Sequence, residues 1–220
     1  MYYDLVSSLP YLPYFRRADR LPITPLRLER RLSLLKPSHA TQLNQVRPIV
    51  ALGIDQLKAH TDEALVKNLS KCTDVPLDKE LREYLLFRVK QRWLIAALRC
   101  RQGGLRLPDT LASANVGLNT RRVQQYWEAP GLGLEALHRW LPDAANCLSN
   151  HDLLGLERLL IELNWAWLTR RADQDMFRFA AVFAYVFKWD MLRAWLQNDP
   201  IAAKLKFTEL VNKVTDDQHN

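Results

Sequence analysis

Residues 173–197 constrain the fold of this chain more than any other stretch. They contain the longest apolar run, residues 179–187, and two of the seven tryptophans, Trp189 and Trp195. A membrane-spanning helix needs about 20 mostly apolar residues. Four charged residues interrupt this stretch: Arg178, Lys188, Asp190 and Arg193. Because a helix that is apolar nearly all round usually lies inside a bundle, we predict the buried central helix of a soluble protein.

The composition predicts an all-α fold. Hydrophobic residues make up 48% of the 220 residues, which is enough for a substantial core, and only seven residues are glycine. Leucine, arginine and alanine are frequent, and alternating runs of β-branched residues are rare, so helices are favoured over strands. We expect a multi-helix bundle that forms a single helical domain over residues 1–220, with a possible boundary between two lobes near 103–108.

The stretch before the central helix has the clearest helical periodicity. Leucines recur at steps of three and four residues from residue 152 to residue 171, and together they form one apolar stripe. Only Ala172 and Asp173 separate this predicted helix from the next one. Two long apolar helices with so short a link should form an antiparallel hairpin.

Turn-forming and capping residues predict the remaining elements. Thr24 and Pro25 have the pattern of a helix start, and Pro108 and Asn119 should precede two short helices. Pro48 is expected to end or kink a helix that opens at Ser38. The aromatic residues of segment 2–15 indicate that it packs on the body. Further helices are predicted at residues 49–59, 61–69, 134–140 (ended by Pro142) and 201–214.

Residues 76–101 should form a long helix with a marked basic face, ended by the glycines at 103 and 104. Six basic residues and no acidic residue occur between positions 88 and 106. Arg88, Arg92 and Arg99 are separated by four and eleven residues, so they share one side of the helix. This face could bind an acidic protein or nucleic acid, or it could form a solvated ridge or internal ion pairs. We select these three arginines as candidate partner-binding residues.

No catalytic motif or cofactor-binding motif is visible in the chain. The formal net charge is +7, which favours acidic partners. The three cysteines are widely separated, which indicates a reducing, cytoplasmic location. Cys147 and His151 have helical spacing, but two such residues are a weak signal for zinc. We therefore expect no catalytic residues, no cofactor, no metal and no small-molecule substrate.

Three parts of the chain resemble a bacterial family of uncharacterised proteins that are encoded in V-type ATPase operons. The parts are YYDLVSSLP at residues 2–10, RVKQRWLIAALRCRQGG at 88–104, and the two C-terminal segments LERLLIELNWAWLTRR and FRFAAVFAYVFKWDMLRAWLQ at 156–171 and 177–197. That family looks like a reduced relative of the all-helical, funnel-shaped C-type component of the V-type ATPase, which is the d-type component in eukaryotes.

The resemblance implies a non-catalytic subunit of a V-type (A/V-type) rotary ATPase that couples the central stalk to the membrane rotor. The implied partners are the stalk and rotor subunits. The implied location is cytoplasmic, peripheral to the inner membrane through the complex alone. A basic helical protein that binds nucleic acid, or an adaptor protein, is the alternative, although nucleic acid is not the expected partner.

Overall fold

The computed structural model describes residues 1–51, 76–112 and 117–198, and within these ranges the fold is all-α. A single 3₁₀ turn at Phe15–Arg17 accompanies the α-helices of the described ranges. In chain order the helices are α1 (Tyr3–Ser8), α2 (Pro25–Leu32), α3 (Pro37–Val50), α4 (Lys79–Gln102), α5 (Asp109–Ala112), α6 (Thr120–Gln125), α7 (Leu141–Ser149), α8 (Leu153–Gln174) and α9 (Phe179–Asn198).

Helices α8 and α9 pack side by side as the predicted hairpin. Lys188 of α9 reaches Thr169 of α8, and its ammonium lies over the ring of Trp165. The predicted link at Ala172 and Asp173 is wrong by three residues, because α8 continues to Gln174 and the turn occupies residues 175–178. Alanine and glutamine favour helix, so the last turn of α8 extends beyond the apolar stripe.

Helix α9 is the buried central helix that its sequence predicted. Val182, Phe183, Ala184 and Val186 are fully buried, and so is Trp189, whose indole N–H donates to the Ile23 carbonyl at 3.0 Å. Burial of a large aromatic side chain is among the strongest contributions to a core, provided that its polar atom finds a partner.

Helix α4 crosses the hairpin and meets both of its helices at one aromatic ring. The Tyr84 ring lies 5.1 Å from Trp167 of α8 and 5.1 Å from Phe187 of α9, and it is nearly parallel to the second. Farther along α4, the indole of Trp93 is fully buried and donates to the Leu111 carbonyl. The three longest helices of the described ranges are therefore joined through aromatic contacts.

The aromatic N-terminal segment packs on the body, as predicted. Phe15 is fully buried and makes an edge contact with Trp195, at 5.1 Å between ring centroids. The Tyr2 amide donates to the Phe177 carbonyl at 2.7 Å, which ties the segment to the turn between α8 and α9. The side chain of Arg16 forms an ion pair with Glu162 on α8.

Two predictions based on proline are corrected by the structure. Helix α3 runs through Pro48 and ends two residues later, at Val50, so that the proline replaces only one hydrogen bond near the helix end. Residues 134–140 form turns rather than a helix, and Pro142 lies in the first turn of α7. Proline suits that position because a first-turn N–H has no partner within the helix.

Other predictions agree with the structure or lie outside the described ranges. Pro108 and Asn119 directly precede α5 and α6, and Gly103 caps α4. Core residues on both sides of residues 103–108 belong to one hydrophobic cluster, while the single domain over 1–220 stays a prediction. The helices predicted at 61–69 and 201–214, and most of the one at 49–59, lie outside the described ranges. Within those ranges, no helix is both long and apolar enough to cross a membrane.

Candidate functional site

The first candidate residue, Arg88, lies inside the protein rather than on a surface. It is 2% exposed, and its guanidinium donates to the Val50 carbonyl at 3.2 Å and to Gln91 Oε1 at 2.7 Å. Burial lowers the pKa of Arg88 from its usual value. The expectation of one basic face available to a partner is therefore wrong at Arg88, because this side chain is used within the fold.

Arg92 lies one turn along α4 and is directed to the same helix end. Its guanidinium donates to the Ala51 carbonyl at 2.9 Å, and Arg88 donates to the same oxygen at 3.4 Å. Burial, together with the neighbouring charge of Arg88, lowers the pKa of Arg92 to about 10, so the group stays charged at neutral pH. The two cations thus lie against the negative end of the α3 dipole, where positive charge is favoured.

Arg99, the third candidate, is partly buried near the C-terminal end of α4. The structure does not join it to Arg88 and Arg92 in one open surface, since Arg88 is enclosed. A partner-binding role for Arg92 and Arg99 stays a prediction.

A buried polar network continues inward from Arg88 and links α4 to α8. Asn164 donates to Gln91 Oε1 at 2.8 Å and to the Leu160 carbonyl at 2.7 Å, and its own oxygen accepts from the Tyr84 hydroxyl at 3.1 Å. Buried polar groups cost free energy unless they are hydrogen-bonded. These groups therefore act mainly as specific cross-links, and the apolar pattern of the sequence gave no sign of them.

A surface cleft of about 520 Å³ lies at the C-terminal end of α4, and we call it the α4-end cleft. The loop after α4 forms one wall, and the end of α6 with the following turn forms the other. The Trp127 indole donates to the Leu105 carbonyl at 3.2 Å, and Arg101 donates to the Ala129 carbonyl, so the two walls are tied together. Its lining comprises Arg101, Gly104, Leu105, Arg106, Leu107, Gln124, Trp127 and Glu128.

The turn beside the α4-end cleft is tightly built. Gly133 has a φ of +68°, and a Cβ there would lie 2.8 Å from the Tyr126 ring, so glycine is required. Arg122 lies over that ring at 5.3 Å and donates to the Gly133 carbonyl at 2.5 Å. The sequence analysis did not select the cleft, although apolar and basic residues directly after a glycine helix stop are a signal for it.

A second, smaller cleft of about 330 Å³ lies beside the N-terminal segment. His39 stacks on Phe179 at 4.1 Å, and the Tyr2 hydroxyl lies 2.6 Å from His39 Nδ1. The same hydroxyl accepts from the Lys36 amide at 3.3 Å, so it donates its proton to His39. Burial lowers the pKa of His39, and the nearby Asp78 opposes this effect.

The weak zinc signal of the sequence corresponds to a helix junction. The Cys147 carbonyl accepts from the Asp152 amide at 2.8 Å, and the Asp152 carboxylate caps α8 by accepting from the Gly155 amide at 2.8 Å. Burial and the Asp152 charge raise the pKa of the Cys147 thiol. In the ranges that the structure covers, His, Cys, Asp and Glu side chains form no group of three that could hold a metal ion.

Comparison with known proteins gives one match. The family model described as "Protein of unknown function (DUF2764)" matches residues 55–218, about three quarters of the chain. The chain belongs to the DUF2764 family. No curated protein and no solved structure matches it. The DUF2764 match includes α4, α8, α9 and the α4-end cleft, whereas α1, α2 and α3 precede it.

Proposed function

We propose that this protein is a non-catalytic subunit of a V-type rotary ATPase and that it couples the central stalk to the membrane rotor. The proposal starts from the resemblance of residues 2–10, 88–104, 156–171 and 177–197 to a family encoded in V-type ATPase operons. In this proposal the stalk and rotor subunits are the partners, and the membrane is approached only through the complex.

The observation that supports this role best is the cross-linking of the three longest described helices. A coupling subunit must transmit force between partners without deforming, so it needs a stiff body. Tyr84 joins α4 to both helices of the hairpin through ring contacts, and its hydroxyl bonds to Asn164. Close-packed interiors have low compressibility and transmit strain.

An ion pair between distant parts of the chain adds to this stiffness. Arg47 of α3 forms two hydrogen bonds with the Asp190 carboxylate of α9, at 2.7 and 2.8 Å. It also bonds to Glu29 of α2 at 2.7 Å. Bidentate arginine–carboxylate pairs fix geometry as well as contributing free energy. The same guanidinium thereby holds α2 and α3 against the central helix.

A binding assay with purified components tests the proposal. The full-length protein is immobilised and presented with the head-and-stalk subcomplex of the V-type ATPase from the same organism. Saturable retention of the stalk subunits is expected. Retention of neither the stalk nor the rotor subunits would contradict the proposal. An immobilised helical protein of similar size and net charge serves as the control for attraction by charge alone.

Nucleic-acid binding is the second candidate function, and the net charge of +7 favours it. Binding through phosphates would fall steeply with salt concentration. Retention of RNA or DNA at physiological salt would support this candidate, and the same assay without retention at low salt would exclude it. Arg88 is removed from this candidate as well, because its guanidinium is buried.

A further inference from the structure

We infer that the α4-end cleft is a docking site for an acidic, amphipathic segment of a partner protein. This inference goes beyond the ATPase proposal, because it concerns the chemistry of the cleft and holds whichever complex contains the protein. It rests on three observations: exposed apolar side chains, cations that form no ion pair with the described residues, and a tightly built wall.

The apolar lining is unusually exposed for a loop of this kind. Leu105 is 61% exposed, the neighbouring Tyr126 is 43% exposed, and Leu107 and Trp127 are partly exposed. Single exposed hydrophobic residues are common, but a group of them in a concave site is typical of recognition surfaces. Trp and Tyr are also enriched among the residues that contribute most to binding.

The charges around this apolar lining select an acidic partner. Arg106 lines the cleft and is exposed, and Arg121 lies one turn before Gln124 on the same side of α6. Neither arginine forms an ion pair with any described residue. Glu128 is the one acidic residue of the lining, and it lies near Arg101. The cleft therefore presents positive charge beside apolar surface.

A protein segment fits these features better than nucleic acid does. The volume of about 520 Å³ is within the range of roughly 300–1,000 Å³ that is typical of ligand sites, and it can take large apolar side chains. An amphipathic helix supplies such side chains at steps of three and four residues and places acidic residues beside them. A phosphate backbone would satisfy Arg106 and Arg121, but it would leave Leu105 and Leu107 without apolar contacts.

The walls of the cleft are preformed, so little order has to be gained on binding. The Trp127–Leu105 and Arg101–Ala129 hydrogen bonds hold the loop against the turn. The packing of Tyr126 against Gly133 fixes the turn itself. A site that is already in its binding conformation loses less conformational entropy when a partner docks.

Fluorescence anisotropy with three labelled peptides tests the inference on the full-length protein. The first peptide is a helix of about 15 residues with leucines on one face and glutamates beside them. The second carries lysine at each glutamate position, and the third carries alanine at each leucine position. Binding of the first peptide alone, weakened by added salt, is the expected result.

Two variants of the cleft have matched controls on α2. Leu105→Asp and Arg106→Glu should each weaken binding of the acidic peptide by about tenfold or more. Leu26→Asp and Arg30→Glu change equally exposed residues outside the cleft and should leave binding unchanged. Circular dichroism verifies that all four variants are folded.

A charge-reversal experiment keeps the test decisive if a single variant loses stability. The double variant Arg106→Glu with Arg121→Glu should bind the lysine peptide in preference to the glutamate peptide. The inference is overturned if the wild-type protein does not bind the first peptide, if the two α2 controls lose binding equally, if duplex RNA displaces the peptide more strongly than unlabelled peptide does, or if the cleft instead mediates self-association. None of these outcomes depends on whether the ATPase retains the protein.

Discussion

At the scale of single residues, the buried polar side chains decide how the helices fit together. Tyr84, Gln91 and Asn164 are enclosed by apolar packing, and each is held by at least one hydrogen bond from another side chain. In such an environment a lost partner costs more than the bond contributed, because the remaining group is left unsatisfied and out of water. Substitutions in this network should therefore be strongly coupled.

A double-mutant cycle on Tyr84 and Asn164 measures that coupling. Tyr84→Phe leaves Asn164 Oδ1 without its donor, and Asn164→Ala leaves the Tyr84 hydroxyl without its acceptor. Each should lower the free energy of unfolding by about 1–3 kcal/mol, and the double variant should cost less than the sum. Urea denaturation gives the values, with the exposed Asn44→Ala as a control that should change stability by less than about 0.5 kcal/mol. Additive effects would show that the hydrogen bond is not formed.

His39 should make stability depend on pH. Its pKa is lowered in the folded protein, mainly by burial, so the unfolded chain binds more protons in the interval between the two pKa values. The free energy of unfolding therefore rises with pH through this interval. The contribution is fully present above the unfolded pKa of about 6.5 and is lost as the pH falls through the folded pKa.

Thermal unfolding at a series of pH values between about 7 and 5 gives the measurement. His39→Gln, which keeps an acceptor for the Tyr2 hydroxyl, should show a shallower decrease than the wild-type protein. Some decrease should remain, because burial also lowers the pKa of His138. Substitution of the exposed His151 by Asn, which tolerates the left-handed backbone at that position, should leave the pH profile unchanged. Equal profiles for wild type and His39→Gln would contradict the assignment.

At the scale of helices, the structure depends on contacts that tie early elements to the C-terminal hairpin. Arg47 is the clearest example, since one guanidinium contacts Asp190 of α9 and Glu29 of α2. Its hydrogen bonds to Asp190 raise the pKa of Arg47 above its usual value. Asp190 is mostly enclosed, so the removal of Arg47 would leave a carboxylate with poor solvation.

Arg47→Met should therefore lower the free energy of unfolding by about 2–4 kcal/mol, somewhat less than the loss expected for a fully buried pair. The double variant Arg47→Met with Asp190→Asn should recover part of this loss, because the unpaired charge is then absent. Glu29→Gln is the matched control, since its carboxylate is 54% exposed and should matter by less than about 1 kcal/mol. A loss for Glu29→Gln as large as that for Arg47→Met would contradict this order.

The helices were largely predictable from sequence because their apolar residues recur at helical spacing. That pattern predicted α4, α8 and α9 to within a few residues. The role of Pro142 was not predictable in the same way, because proline is compatible with both the first turn of a helix and the region after one. The end of α8 was missed because helix propensity, rather than apolar periodicity, decides its last turn.

The candidate site was less predictable than the helices. Spacing places Arg88, Arg92 and Arg99 on one side of α4, but it does not tell which element lies against that side. In the structure the exposed carbonyls at the end of α3 attract two of the three guanidinium groups. The α4-end cleft depends on loop conformations, which local sequence patterns specify only weakly.

At the scale of the whole molecule, charge is divided between internal and external tasks. Arg47, Arg88 and Arg92 hold elements together, whereas Arg106 and Arg121 are exposed beside an apolar cleft. The net charge of +7 alone would not distinguish these two groups. A stiff helical body with a basic, apolar docking cleft is compatible with a subunit whose task is to connect other proteins.

Reciprocal isolation of the ATPase complex tests the proposed function most directly. The catalytic head is affinity-tagged in one strain, and this protein is tagged in another. Both preparations are then quantified by mass spectrometry in mild detergent. We predict that each preparation contains the other tagged protein together with stalk and rotor subunits, in a fixed ratio. Recovery of an intact, coupled ATPase that lacks this protein in both directions would contradict the proposal.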